Sequence, residues 1–191
     1  RILVRFRAGQ SVAVISDAGT PLISDPGNKL VREARDAGLP VFAIPGASAA
    51  LAALTTSGLP TNSFFFEGFL PNKPGARQKR LAELKPVPAT LIFYEAPSRL
   101  AAMLDDLSAV LGERRGAVAK ELTKLHEGVV TGPLSELVDK AVDTLGTKGE
   151  FVVLAGPPVI AELTDDEIVT ALETALREET SFRDAVQGVA Q

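Results

Sequence analysis

The chain contains no cysteine and no tryptophan, and only one methionine, one tyrosine and one histidine. Each scarcity removes a class of chemistry. Without thiols there are no disulfides, no thiolate metal sites and no cysteine nucleophile, and such a chain fits the cytoplasm. With His126 alone, neither a multi-histidine metal centre nor a two-histidine mechanism is available. Long apolar runs are also missing. Nothing approaches the roughly 18–20 uninterrupted apolar residues of a membrane span, and no basic-then-apolar signal segment opens the chain. Position 1 is Arg1 rather than Met, which raises the expectation of a fragment.

What is present has the composition of a soluble folded protein. The 191 residues suffice for one large domain or two small ones, and 46% hydrophobic with 23% charged residues exclude extensive disorder. The net charge of −4 hides a division. Residues 160–191 hold eight acidic and two basic side chains, a local −6 that leaves +2 on the rest. Within that remainder, Lys73, Arg77, Lys79, Arg80 and Lys85 stand against Glu83 alone. The patch reads either as a solvated helix face or as a contact for an anion or RNA, since a local basic surface steers a phosphate backbone despite an acidic total.

Strand and helix patterns alternate along the chain. Residues 12–16 (VAVIS) and 40–44 read as short apolar strands. Between them Asp25 is a good helix N-cap, Pro26 suits the first turn, Leu30, Val31, Ala34 and Ala37 share a face, and Gly38 closes the helix. Residues 47–57 form a small-residue helix ended by Gly58. A parallel sheet follows from this order. The cluster GLPTNS at 58–63 marks a linker. Beyond it the expected elements are strands at 64–69, 89–94, 116–121, 128–131 and 151–155, with helices at 75–84, 97–111 and 134–145, giving a second α/β domain with a mixed sheet. In the tail, Thr164 caps a helix running through Glu178, with Glu167 at capping-box spacing, and Ser181 starts another.

Three loops fall where parallel strands end, the place where open α/β sheets bind ligands. The first, DAGTP at 17–21 followed by SDPG at 24–27, offers Gly19 for close backbone approach and the hydroxyls of Thr20 and Ser24, but it has neither a dinucleotide fingerprint nor a phosphate loop. Asp25 would repel phosphate there. Turn and cap chemistry accounts for the same residues. The second, PGASA at 45–49, suits a flat ring or simply close helix-to-sheet packing. The third, FYEAPSR at 93–99, leaves Tyr94, Glu95 and Arg99 at a strand end, either lining a pocket or divided between core and surface ion pair. A fourth segment, KELTKLHE at 120–127, concentrates two cations, two carboxylates and the only histidine, and serves either as a source of a general base or as a solvated edge.

Taken together, SDAGTPLISDPG (16–27), IPGASAALAALTTSGLPT (44–61), FFFEGFLP (64–71), LIFYEAPSR (91–99), KELTKLHE (120–127) and KGEFVVLAG (148–156) resemble, in order and spacing, the bacterial small-subunit (16S) ribosomal RNA cytidine 2′-O-methyltransferases of the tetrapyrrole methylase superfamily. The resemblance implies a two-domain α/β fold: residues 1–62 as the later part of a first domain with a parallel sheet, 63–158 as a second with a mixed sheet, and 159–191 as a short helical appendage. It implies S-adenosylmethionine as cofactor, 16S rRNA of the small ribosomal subunit as substrate, a homodimer, and no membrane or metal partner. Cofactor contacts then fall to Gly19, Thr20, Pro21 and Ile23, to Ser48 and Ala49, to Tyr94, and to Lys120, Gly149 and Glu150. The family's glycine-rich first strand is not in the chain, its ESPHR reads EAPSR here, and Ala47 stands where it usually has a proline.

A sulfonium is already an activated leaving group, so the protein must align the ribose oxygen with the methyl carbon and help remove its proton. Glu95, Lys120, Glu121 and His126 are the candidate catalytic groups. Lys73, Arg77, Lys79 and Arg80 are the candidate phosphate contacts, with Phe69 a stacking platform. The competing readings are methylation of a small tetrapyrrole and a non-catalytic dimerisation module.

Overall fold

In the computed structural model, residues 2–159, 165–177 and 181 are described. The chain divides into two compact units, Arg1–Pro158 and Val159–Gln191. Three helices open the first unit: α1 (Ile2–Arg7), α2 (Asn28–Asp36) and α3 (Ala49–Thr56). Then come β1 (Phe64–Phe69), α4 (Pro74–Leu84), β2 (Thr90–Glu95), a 3-10 turn at Pro97–Arg99, α5 (Leu100–Leu111), β3 (Arg115–Lys120), β4 (Gly128–Pro133), α6 (Leu134–Leu145) and β5 (Phe151–Ala155). Proline begins α4, and Gly112 and Gly146, at φ 75° and 66°, end α5 and α6 in the left-handed conformation that glycine adopts without strain.

The five strands form one mixed sheet in the order β1-β2-β5-β3-β4. Only β1 and β2 are parallel; the other three pairings are antiparallel. This is the mixed sheet expected beyond residue 63. Because side chains alternate along a strand, the central three strands sort their residues onto two covered faces. Leu91, Phe93, Val118, Phe151 and Val153 meet Leu81, Met103, Leu104, Leu107, Leu134 and Leu137 of α4, α5 and α6. Ile92, Ala117, Ala119, Val152 and Leu154 meet Ala50, Ala53 and Leu54 of α3, whose small residues admit close approach.

Several expectations differ from what folds. Residues 12–16 and 40–44 are not strands: an extended segment becomes one only by pairing, and neither finds a ladder partner among the described residues. Ile15, Phe42 and Ile44 are accordingly 87%, 83% and 84% exposed. Asp25 does not cap α2. Gly27 holds that position at φ 135°, and Asp25 instead accepts a hydrogen bond from Ser16 Oγ. In the second unit α7 (Asp165–Arg177) matches the expected tail helix, with Thr174 Oγ1 donating to the Thr170 carbonyl at 2.8 Å. Thr164, Glu178 and the helix expected from Ser181 onward, over 182–191, lie outside the described residues.

Gly116 is a tight point of the packing. A Cβ there would stand 2.6 Å from Leu134 Cδ2 and 2.8 Å from the Leu154 carbonyl, whereas one on Gly75 in α4 meets nothing within 4 Å. Gly116→Ala is expected to cost about 1–3 kcal/mol through overpacking. Gly75→Ala, free of that clash, should stabilise by up to ~1 kcal/mol through helix propensity. Urea unfolding of the two variants reads both signs.

Candidate functional site

Beside the C-terminal ends of β1 and β2, two loops that are distant in sequence converge. Thr20 donates twice to the Ala47 carbonyl, through its amide at 2.9 Å and its hydroxyl at 3.0 Å. Loop 16–27 is thereby fastened to loop 45–49. The same contact explains the glycines: a Cβ on Gly19 would press on that carbonyl at 3.3 Å. Ser48 caps α3, accepting from the Leu51 amide, and so fixes where the helix begins. Loop 16–27 also meets the sheet, because a Cβ on Gly68 of β1 would come within 3.0 Å of Ser24 Oγ.

Tyr94 is the anchor between them. Its ring is half-buried on the α3 face of the sheet. Burial pushes its phenol pKa up; the Ala50 amide opposes that shift and the nearby Asp25 carboxylate adds to it. Gly19, Thr20, Pro21, Ser48, Ala49 and Tyr94 thus belong to segments tied into one cluster. Ile23 is in the same loop and is 46% exposed.

Beside these contacts lies an open cavity of about 190 Å³ lined by Ile15, Ser16, Asp17, Pro21, Asp25 and Pro26. Two carboxylates with apolar walls favour a cationic ligand with an apolar or hydroxylated body and disfavour a phosphate. The two carboxylates suit the sulfonium and ammonium groups of S-adenosylmethionine and its ribose hydroxyls, but not its carboxylate. Asp25 escaped the sequence reading because its position before Pro26 is also that of an N-cap; the SDPG loop closing back on Ser16 was the available signal.

The remaining candidates stand apart from this cluster. Glu95 pairs across the sheet with Phe151, and Phe151 with Lys120, so the three share the face opposite Tyr94. The Glu95 side chain is fully buried, accepts from the Ala96 amide at 2.7 Å and lies 3.1 Å from Arg99 Nη2. That last contact is an ion pair without hydrogen-bond alignment, leaving Glu95 Oε2 and Arg99 Nε unsatisfied. Burial raises the Glu95 pKa against the pull of Ala96, Arg99 and Arg77. Lys120 Nζ donates to the Leu145 carbonyl at the end of α6, a favoured place for a cation.

The segment from Glu121 to Glu127 is a loop rather than an extended strand, with Glu121 and Thr123 at φ 48° and 67°. Its charges are mutually engaged. Glu121 accepts from the Glu150 amide at 2.8 Å, and Lys124 donates to Glu121 at 3.1 Å and to Glu150 at 2.9 Å. Gly149, at φ 106°, permits this closure, because a Cβ there would meet Glu121 Cγ at 2.7 Å. The Glu150 amide and Lys124 hold the Glu121 carboxyl below its ordinary range. His126 is exposed, beside Lys120 in a second open depression of about 480 Å³.

The basic patch also divides. Arg77, expected at a phosphate, is instead buried at 4% exposure, with Nε donating to Asp106 at 2.5 Å and Nη2 to the Ala102 carbonyl at 3.3 Å. It ties α4 to α5. Arg80 is likewise committed, bidentate to Glu67 at 2.7 and 2.8 Å and bonded to Glu83 at 2.9 Å. Lys73, Lys79 and Lys85 are exposed and form no ion pair among the described residues.

Comparison with known proteins bears on this geometry. Residues 1–138 match the family described as Tetrapyrrole (Corrin/Porphyrin) Methylases. The chain is 54% identical over 168 residues to the Ribosomal RNA small subunit methyltransferase I of Mesorhizobium japonicum, covering 87% of this chain and 56% of that protein. It is 51% identical to the protein of that name from Xylella fastidiosa (90% and 65% covered) and 46% identical to the one from Mycobacterium bovis (99% and 66%). The chain therefore spans between about half and two thirds of the length of these relatives. Among solved structures, the methyltransferase CobJ aligns with TM-score 0.61 at 21% identity over 85% of this chain and 71% of that one. The uroporphyrin-III C-methyl transferase of Thermus thermophilus complexed with S-adenyl homocysteine aligns with TM-score 0.52 at 22% identity, over 80% and 69%. At such identities these structures speak for the fold.

The two glutamates shifted in opposite directions give stability opposite pH slopes. Glu95, raised, contributes most below the ordinary carboxylate range and loses that contribution as pH rises through its folded pKa. Glu121, lowered, contributes above the ordinary range and loses it as pH falls through its folded pKa. In urea titrations from about pH 3 to 8, Glu95→Gln should gain on the unmodified chain as pH rises, while the deficit of Glu121→Gln should grow. Parallel slopes would contradict the assignment.

Proposed function

The chain belongs to the tetrapyrrole (corrin/porphyrin) methylase family, and from that premise we propose that it forms part of an S-adenosylmethionine-dependent methyltransferase of small-subunit ribosomal RNA. The acceptor is the 2′-oxygen of a cytidine ribose in the decoding centre, and the enzyme works as a cytoplasmic homodimer. The observation that carries this reading is the convergence of loops 16–27 and 45–49 on Tyr94, with a cavity lined by two carboxylates in the first of those loops. High identity to proteins named as ribosomal RNA methyltransferases favours RNA over a porphyrinoid acceptor.

When bound, S-adenosylmethionine supplies a methyl group on a sulfonium. Gly19, Thr20 and Pro21, with Ser48 and Ala49, would hold it mainly through backbone groups, and Asp17 would complement its positive charge. Ile23 and Tyr94 would add apolar surface, while Lys120, on the opposite face of the sheet, and Gly149 and Glu150, closed on the Glu121–Lys124 loop, stand apart from these contacts. The chain's remaining task is to take the ribose proton. Glu95, Lys120 and Glu121 are each engaged by their own partners, and His126 lies in a different depression. Asp25 is the group assigned to that task because it lines the cavity beside the convergent loops, where Ser16 Oγ donates to one carboxylate oxygen and orients the other.

Calorimetric titration of the chain with S-adenosylmethionine tests the cofactor site, and the expected result is saturable binding. Transfer of labelled methyl groups to small ribosomal subunits but not to a porphyrinoid acceptor then separates the two enzyme readings. Absence of binding would favour the dimerisation module. For the proton acceptor, Asp25→Asn should lower single-turnover methyl transfer by roughly 100-fold or more. Undiminished turnover would move the base elsewhere.

A further inference from the structure

Strand β1 carries an irregularity that changes which way its aromatic residues face. Its register with β2 runs Phe64↔Thr90, Phe65↔Leu91 and Phe66↔Ile92, then resumes at Gly68↔Phe93 and Phe69↔Tyr94. Glu67 is an extra residue, a β-bulge. In a regular strand Phe66 and Phe69, three apart, would point to opposite faces. With the bulge both reach Tyr94 edge-on, at centroid separations of 5.0 and 5.7 Å and interplanar angles of 70° and 64°. Glu67 turns away to Arg80.

Phe66 and Tyr94 are half-buried by this arrangement, but Phe69 remains 55% exposed. Its position is nonetheless fixed. Leu70, next in the chain, is buried at 2%, and the Arg99 guanidinium binds the Leu70 carbonyl at 2.9 Å, the Pro71 carbonyl at 3.4 Å and the Asn72 side chain. The ring is a rigid apolar surface at the C-terminal end of a parallel strand, where ligands of such sheets bind. The neighbouring cations are unneutralised. Glu67, Glu83 and Asp106 are taken up by Arg80 and Arg77, so Lys73, exposed and four residues beyond Phe69 at the start of α4, keeps its positive charge free of an ion pair among the described residues. A flat apolar platform followed four residues later by an unpaired lysine matches an unstacked nucleobase with its phosphate, because every base presents a π-face and single-stranded RNA is held by stacking together with backbone charge.

We infer that Phe69 is the stacking platform for a base of the acceptor RNA, with Lys73 taking the adjoining phosphate. This rests on the RNA reading above and adds the residue that engages the base. An apolar peptide or a second copy of the chain would use the ring without needing the cations.

The chain has no tryptophan, so Phe69→Trp introduces a single fluorophore at the site itself. Titrated with single-stranded oligocytidine RNA at low salt, its emission should be quenched in step with binding measured independently by filter retention. Phe69→Ala should weaken that binding by roughly 5- to 150-fold, the range for loss of one base–aromatic stack. Phe69→Tyr should retain it, and thermal melts of all three variants separate binding from folding. If Phe69→Ala fails to fold, the tryptophan signal alone decides. RNA that binds without quenching, with Phe69→Ala unaffected, overturns this inference and leaves the RNA reading standing. Failure of every form to bind RNA overturns both. Emission that changes with protein concentration alone assigns the ring to self-association and overturns the inference.

Discussion

The alternation of side chains across β2, β5 and β3 constrains everything else in the first unit. These strands are covered on both faces, so each residue is committed to one side. Tyr94 and Glu95 are neighbours in sequence but belong to different environments. The row Tyr94, Val152 and Ala119 looks toward α3 and the convergent loops; the row Glu95, Phe151 and Lys120 looks toward the three helices of the other layer. A linear motif such as FYEAPSR leaves open one pocket or a division between core and ion pair, and the pleat divides it into a tyrosine on the side of the convergent loops and a buried carboxylate on the other.

The same frame consumes ten of the charged side chains that the sequence displays. Arg77 with Asp106, Arg80 with Glu67 and Glu83, Arg99 with Glu95, and Lys124 with Glu121 and Glu150 each join two segments of chain. Breaking the buried Arg77–Asp106 pair from one side would strand an uncompensated charge, so its role is cohesion of α4 and α5 rather than recognition. Arg114, buried without a carboxylate, does similar work by donating to the Lys85 carbonyl at 2.5 Å; burial lowers its pKa. Of the basic patch at residues 73–85, what reaches solvent without an ion pair among the described residues is Lys73, Lys79 and Lys85.

Local pattern made much of the second half of the first unit legible. Residues 64–69 and 151–155 are apolar runs bounded by turn residues, and 134–145 has a clean apolar stripe ended by glycine; all three fold at the expected bounds. Segments whose form depends on a distant partner were not legible. VAVIS reads as a buried strand, but burial of Ile15 requires a neighbour that the pattern cannot supply. The candidate cofactor loops were recognisable by resemblance, whereas the Thr20–Ala47 tie that joins them spans 27 residues and leaves no periodic trace. For Arg77 the signal was ambiguous in principle: a cation in a helix looks the same in sequence whether it faces phosphate or a buried aspartate on the next helix.

The β1 bulge connects these two themes. An extra residue in a strand persists when something holds it, and Glu67 is held by a bidentate pair with Arg80. That pair turns the strand so that Phe69 joins Tyr94 on the face where the loops gather. Arg80 therefore influences the open face without touching anything that binds there, by fixing the twist of the strand that carries the ring. A residue whose charge suggests direct contact with a polyanion instead holds the strand, and the exposed aromatic ring owes its direction to a salt bridge on the opposite side of the sheet.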